Sequence, residues 1–402
     1  MRQGLTSRSA ESPASSSATA CHDGLVALAQ RYVKWAPVVV PFIAAIVLVV
    51  LWGQHLELIL SIVIAIVLAA TILVAVHHAE VIAHKVGEPF GSLILAVAVT
   101  VIEVGLIITL SSSGGTDSAT LARDTVFAAL MITTTGIIGI SLLVGGARYG
   151  AVRFNAEGAG AALTTVISLA VLCLVLPNFT SADGPKFTSS QLLFAAVASL
   201  ALYVMFVITQ TVSHRELFLP DVSNEPAAPR GATTDAAASA GARDTGHNDI
   251  STRAALISLG LLILSLVAVV GLAKLESPSI EAGVSAAGLP QSFVGVVIAL
   301  LILLPEGITA VRAARRNHIQ TSLNLALGSA MASIGLTIPA IALASIWMSG
   351  SLELGLGSTQ IVLFALTAVV TILTIVPGRA TKLQGGVHLV LFAAFLFLSI
   401  AP

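Results

Sequence analysis

Glu103 lies inside the apolar run LAVAVTVIEVGLI (residues 95–107), and Glu306 lies inside ALLILLPEGITA (residues 299–310). These two are the carboxylates that the sequence places at mid-membrane depth. An acidic residue at the centre of a bilayer helix costs roughly 2.5–3.5 kcal/mol on insertion scales, and such residues usually mark ion or proton sites. Two carboxylates offer hard oxygens that suit Ca²⁺, with backbone carbonyls, hydroxyls and water completing about six to eight ligands. Low dielectric and mutual repulsion also favour the protonated form of paired carboxyls. Such a pair holds protons when empty and releases them when a cation arrives. Competition between protons and a cation for the same oxygens is the chemistry of antiport.

Polar neighbours extend the candidate set. Thr100 lies three residues before Glu103, on nearly the same helix face. Pro305 precedes Glu306 and removes an N–H, which frees a carbonyl near Leu301 to face a cation. The next apolar run of each half is polar inside as well: Thr133, Thr134 and Thr135 before Gly136, and Asn324, Gly328 and Ser329. Asn324, Ser329, Thr133 and Thr135 are therefore further candidate oxygen donors, with a helix–helix hydrogen bond as the alternative for Asn324 and close helix packing for the small residues. His77, Glu80 and His84 fall on one helical face, and Glu88 follows them toward the Glu103 run. They read either as an ion entry or pH-sensing group, since histidine titrates near neutral pH, or as a polar interfacial helix end. His388, five residues into its span, reads as interfacial.

The elements that must position these residues are membrane helices. The 402 residues are 56% hydrophobic and only 10% charged, with a mean hydropathy of +0.99. Soluble domains carry about 25% charged residues, so this is an all-α polytopic membrane protein. A net charge of −1 argues against a nucleic-acid partner. Cys21 and Cys173 are too few for a disulfide framework or a metal site. Eleven apolar windows of spanning length are present: 36–52, 56–76, 91–111, 122–146, 159–177, 189–212, 254–275, 291–313, 320–348, 358–377 and 384–401. The window 320–348 holds Gly328, Gly335 and Pro339 and is expected to tilt or break.

With the N-terminus cytoplasmic, only Arg123, Lys186 and Lys274 of the 19 Lys and Arg fall outside, leaving 16 inside. That asymmetry obeys the positive-inside rule and supports the span count. Residues 1–35 read as a disordered cytoplasmic tail rather than a signal peptide, and 36–52 as an extra N-terminal helix. Residues 53–212 form a first set of five spans and 254–402 a second, joined by a flexible cytoplasmic linker at 213–253. Five is odd, so the halves run in opposite directions, with Glu103 and Glu306 each in the second span of its half. This is the pattern of an inverted repeat, which places substrate near the midplane.

The segments HHAEVIAHKVGEPFG, LAVAVTVIEVGLI and LPEGITAVRAARRNHIQTSLNLALGSAMASIGLTIP resemble the two alpha-repeats of the ChaA-type calcium/proton antiporters of the calcium/cation antiporter superfamily. The resemblance covers roughly residues 40–400 apart from the linker. It implies an inverted five-plus-five fold and exchange of Ca²⁺ for H⁺, with Na⁺/H⁺ and K⁺/H⁺ exchange also associated with the type. It maps the paired acidic residues onto Glu103 and Glu306, and the Asn and Gly-Ser of the second repeat onto Asn324 and Gly328-Ser329. Where many relatives carry Gly-Asn before the glutamate, this chain has Val101-Ile102 and Leu304-Pro305.

The expectation is a secondary antiporter, not an enzyme, that expels Ca²⁺, Na⁺ or K⁺ for protons across the bacterial cytoplasmic membrane. Its N-terminus is expected inside and its C-terminus outside. Its partners are inorganic cations, protons and the lipid bilayer, and no cofactor is implied. No nucleotide-binding motif accompanies the spans. A Na⁺/Ca²⁺ exchanger and a cation channel using the same glutamates remain alternatives.

Overall fold

The computed structural model of the chain describes residues 35–54, 57–87, 90–111, 119–219, 251–347 and 352–401. The expected N-terminal tail up to residue 34, Glu88, and residues 220–250 of the expected linker lie outside the described residues.

Among the described residues eleven helices follow one another. They are α1 (Trp35–Leu51), α2 (Leu58–Val86), α3 (Phe90–Ser111), α4 (Leu121–Tyr149), α5 (Ala156–Phe179) and α6 (Ser189–Ser213), then α7 (Thr252–Ala286), α8 (Phe293–Arg315), α9 (Ile319–Ala344), α10 (Ser358–Ile375) and α11 (Lys382–Ile400). Nine of these described helices are long and apolar enough to cross a bilayer; α1 and the apolar part of α3 are shorter. Side chains such as Ile59, Ile62 and Ile66 on α2 are exposed, as lipid-facing positions are. Several helix starts are set by local chemistry. Asn155 accepts from the backbone N–H of Glu157 and Gly158 at the head of α5, and Thr188 and Thr381 form reciprocal caps with Gln191 and Gln384.

Among the described residues every apolar window is predominantly helical. Two run past their windows: α2 continues through His77 to Val86, and α7 continues through Glu276 to Ala286. The extensions carry charges and histidines, so hydropathy alone cannot find them. The start of the expected linker is ordered, because Arg215–Phe218 form a helical turn whose Phe218 packs edge-on against Phe206 of α6.

Packing follows an exchange symmetry between the halves. The first helices of the two halves, α2 and α7, lie against each other. In the first half α4 packs on α8 and α11; in the second, α9 packs on α3 and α6, the counterparts of α8 and α11. An inverted repeat requires this exchange of partners. The α4–α11 approach is backbone to backbone: a Cβ on Gly385 would come within 2.4 Å of the Leu143 nitrogen, and one on Gly146 within 2.4 Å of the Lys382 nitrogen. Only glycine fits there, as small residues at membrane-helix crossings allow.

Both third helices are irregular at mid-length. In α4, residues Ile132–Ile137 widen to a π turn. In α9, the α-helix ends at Gly335 and resumes at Thr337. Pro339 has no N–H to donate to the Gly335 carbonyl, and the break falls at that point. This locates the irregularity expected in window 320–348.

Candidate cation site

Glu103 on α3 is 1% exposed. Its Oε2 accepts a hydrogen bond from the Ser333 hydroxyl of α9 at 3.1 Å, and Thr337, just past the α9 break, lies against the same carboxyl. Its Oε1 is buried without a protein partner. Glu306 on α8 is partly buried, and its Oε2 is likewise sealed and unpartnered. The two carboxyls lie within electrostatic reach of one another, and Glu80 of α2 lies within reach of Glu306. Glu103 thus faces the third helix of the opposite half. Glu103 meets α9, and Gly307, beside Glu306, faces Ile137 of the π turn in α4.

Thr100 is buried one turn before Glu103. Thr133, Thr134 and Thr135 are buried in the π turn, and their hydroxyls donate back to carbonyls of the preceding turn: Thr133 to Ala129 and Leu130, Thr134 to Leu130, Thr135 to Met131. With the protons so placed, the hydroxyl oxygens keep lone pairs for another donor or a cation. Ser329 lies one turn before Ser333 on the same face of α9, and beside it a Cβ on Gly328 would meet nothing within 4 Å.

Asn324 stands elsewhere. Its Nδ2 donates to the Phe218 carbonyl at 2.7 Å and its Oδ1 accepts from Gln320 at 2.9 Å. It precedes Ser333 by nine residues, about 13 Å along the helix. Among the described residues its amide is committed to Phe218 and Gln320, and no hydrogen bond joins it to either carboxyl. Of the cluster on α2, His77 and His84 are exposed and Glu80 is partly buried. Their neighbour His78 is instead buried and contacts the Pro37 carbonyl at 2.9 Å, which ties α2 to α1.

Several residues escaped the sequence reading. Ser333 and Thr337 carry no signal that sets them apart from other membrane hydroxyls. His388 is fully buried rather than interfacial: Nδ1 contacts the Thr134 carbonyl at 2.9 Å and Nε2 the Thr374 hydroxyl at 3.1 Å. It fixes the π turn from α11. Glu103 and Glu306 are not the only sequestered carboxylates. Glu276 is 2% exposed and accepts from Ser61, joining α7 to α2, and Asp124 is 4% exposed and paired with Arg123 at 2.8 Å. Glu276 sits one residue past its apolar window, and Asp124 stands beside a cation at the edge of its own; hydropathy therefore read neither as deep.

Among the described residues no three His, Cys, Asp or Glu gather as a resident metal centre would require. The site instead offers two carboxyls with open oxygens, flanking hydroxyls and an irregular backbone. Irregular backbone at membrane depth is tolerated only where protein or a water-filled cavity surrounds it.

A model of the family described as sodium/calcium exchanger protein matches residues 54–212 and 257–401. The chain belongs to this family. Members are secondary transporters that exchange cations, and this chain is an antiporter of that kind rather than an enzyme. The matched segments divide where the two sets of five helices divide. The chain is 44% identical over 336 residues to a putative ionic transporter, y4hA, of Sinorhizobium fredii, covering 83% of this chain and 87% of that one. It is 35% identical over 361 residues to the sodium-potassium/proton antiporter ChaA of Escherichia coli, covering 88% and 93%. Among solved structures, YfkE matches with a TM-score of 0.65 at 15% identity, over 91% of this chain and 99% of that one. The H⁺/Ca²⁺ exchanger CAX matches with 0.65 at 14%, over 91% and 88%. At those identities the likeness concerns the fold, which is the inverted five-plus-five exchanger architecture with an added N-terminal helix.

Proposed function

We propose that the protein exports Ca²⁺ from the cytoplasm in exchange for protons, with Na⁺ or K⁺ as further substrates. Glu103 and Glu306 form the shared site. The observation that carries this reading is the pair of sequestered carboxyl oxygens, Glu103 Oε1 and Glu306 Oε2, each without a protein partner and each on the second helix of its half. A buried polar atom left unpaired costs about 1–3 kcal/mol, more when charged. A cation or a proton at those oxygens removes the penalty, and the two cannot be held there together.

Ser333 orients Glu103, and Thr100, Ser329, Thr133 and Thr135 supply neutral oxygens around the pair. Glu80, with His77, His84 and Glu88, forms the cytoplasmic approach, its carboxylate drawing cations toward Glu306. The membrane is the bacterial cytoplasmic membrane, with the N-terminus inside and the C-terminus outside. The names of relatives support the coupling: a sodium-potassium/proton antiporter in Escherichia coli, and a Ca(2+)/H(+) antiporter in Aphanothece halophytica at 24% identity.

The test is Ca²⁺ accumulation in vesicles that hold the purified protein, driven by an imposed pH gradient with no Na⁺ present. Uptake that collapses with the gradient is the expected result. Uptake that needs a Na⁺ gradient and ignores pH would make the protein a Na⁺/Ca²⁺ exchanger.

A further inference from the structure

An apolar crevice of about 580 Å³ opens between α4, α8 and α11. Ile140, Leu304 and Ile308 are exposed along it, and Gly136 and Gly307 add no side chains to fill it. The polar side chains in its wall are Arg312 and Arg315. Three helix ends converge on the arginine end. The Tyr149 hydroxyl donates to the Arg315 carbonyl at 2.9 Å, which joins the end of α4 to the end of α8. The close approach of Gly146 to the Lys382 backbone joins the end of α4 to the start of α11. Arg148, Arg316 and Lys382 therefore gather beside Arg312 and Arg315, and all five are exposed. Among the described residues none of the five takes part in an ion pair.

A long apolar slot with unpaired cations at one end matches an amphiphile with an anionic head. It does not match a cation path, because the guanidinium groups repel the substrate. We propose that this crevice binds one anionic phospholipid, with its phosphate at Arg312 and Arg315 and an acyl chain laid along Ile140, Leu304 and Ile308. Basic pockets between membrane helices recognise anionic headgroups in this way. The bound chain would lie against Gly307 and Ile137, next to the segment that carries Glu306.

The experiment is native mass spectrometry of the full-length purified protein, with phosphatidylglycerol and phosphatidylcholine added in equal amounts. Wild type is expected to retain phosphatidylglycerol preferentially. Arg312→Gln and Arg315→Gln should each reduce that retention about fivefold, as loss of one surface cation implies. Ile140→Trp fills the apolar half without touching a charge and should also reduce it. Equal retention of the two lipids by wild type would overturn the proposal. So would phosphatidylglycerol retention that survives either the arginine changes or Ile140→Trp.

Discussion

Among single residues, the groups that touch the two carboxyls differ from those that only share their helices. Glu103→Gln and Glu306→Gln keep shape and lose charge, and each is expected to abolish exchange while the protein still elutes as a single species. Ser333 donates to Glu103, and a hydrogen bond to a charged group is worth about 1.5–3 kcal/mol. Ser333→Ala should therefore weaken apparent cation affinity by about tenfold or more, read as KM with the maximal rate less affected. Asn324 makes the opposite case. Its amide is committed to Phe218 and Gln320, so Asn324→Ala should lower thermal stability by about 1–3 kcal/mol with KM within roughly twofold of wild type. A large KM change in that variant would return Asn324 to the ion site. Glu103 and Glu306 were legible because a charge in an apolar run is costly and conspicuous. Ser333 and Thr337 were not, because a membrane helix tolerates hydroxyls wherever they can bond to its own carbonyls.

At the scale of elements, the irregular turns of α4 and α9 bring backbone and hydroxyl oxygens to the depth of the carboxylates. His388 braces the α4 turn, and His388→Leu leaves the Thr134 carbonyl and the Thr374 hydroxyl without it. The Thr374 hydroxyl keeps its bond to the Val370 carbonyl, so the expected cost is about 1–3 kcal/mol of stability in all, accompanied by slower transport. Glycines give a contrast within one fold. Gly385→Val meets backbone at 2.4 Å and should prevent folding or lower the melting temperature sharply, whereas Gly328→Ala meets nothing and should be tolerated. The existence of each helix was legible, because spans of this length must be continuously apolar. The ends of α2 and α7 were not, since there the helix outlasts its apolar stretch. The π turn was hidden as well: three threonines before a glycine describe composition, and the widened register depends on α11 packed against them.

For the whole molecule, the exchange of packing partners between the halves places the glutamate pair where the two inverted sets meet, the usual substrate position in such folds. The proposed topology rests on charge asymmetry. In cells, an impermeant maleimide should label Lys186→Cys from outside and spare Arg148→Cys. The reverse labelling would invert the assignment of entry and exit. The central claim is that one pair of carboxyls serves cation and proton in turn. Metal binding to protonated ligands releases protons, so the most direct measurement is proton release when Ca²⁺ is added to purified protein in weakly buffered detergent. Release of about two protons per bound Ca²⁺ is expected at a pH where the empty site is protonated, with the release lost in Glu103→Gln and in Glu306→Gln. Tight Ca²⁺ binding with no proton release across the range from acid to alkaline pH would contradict it.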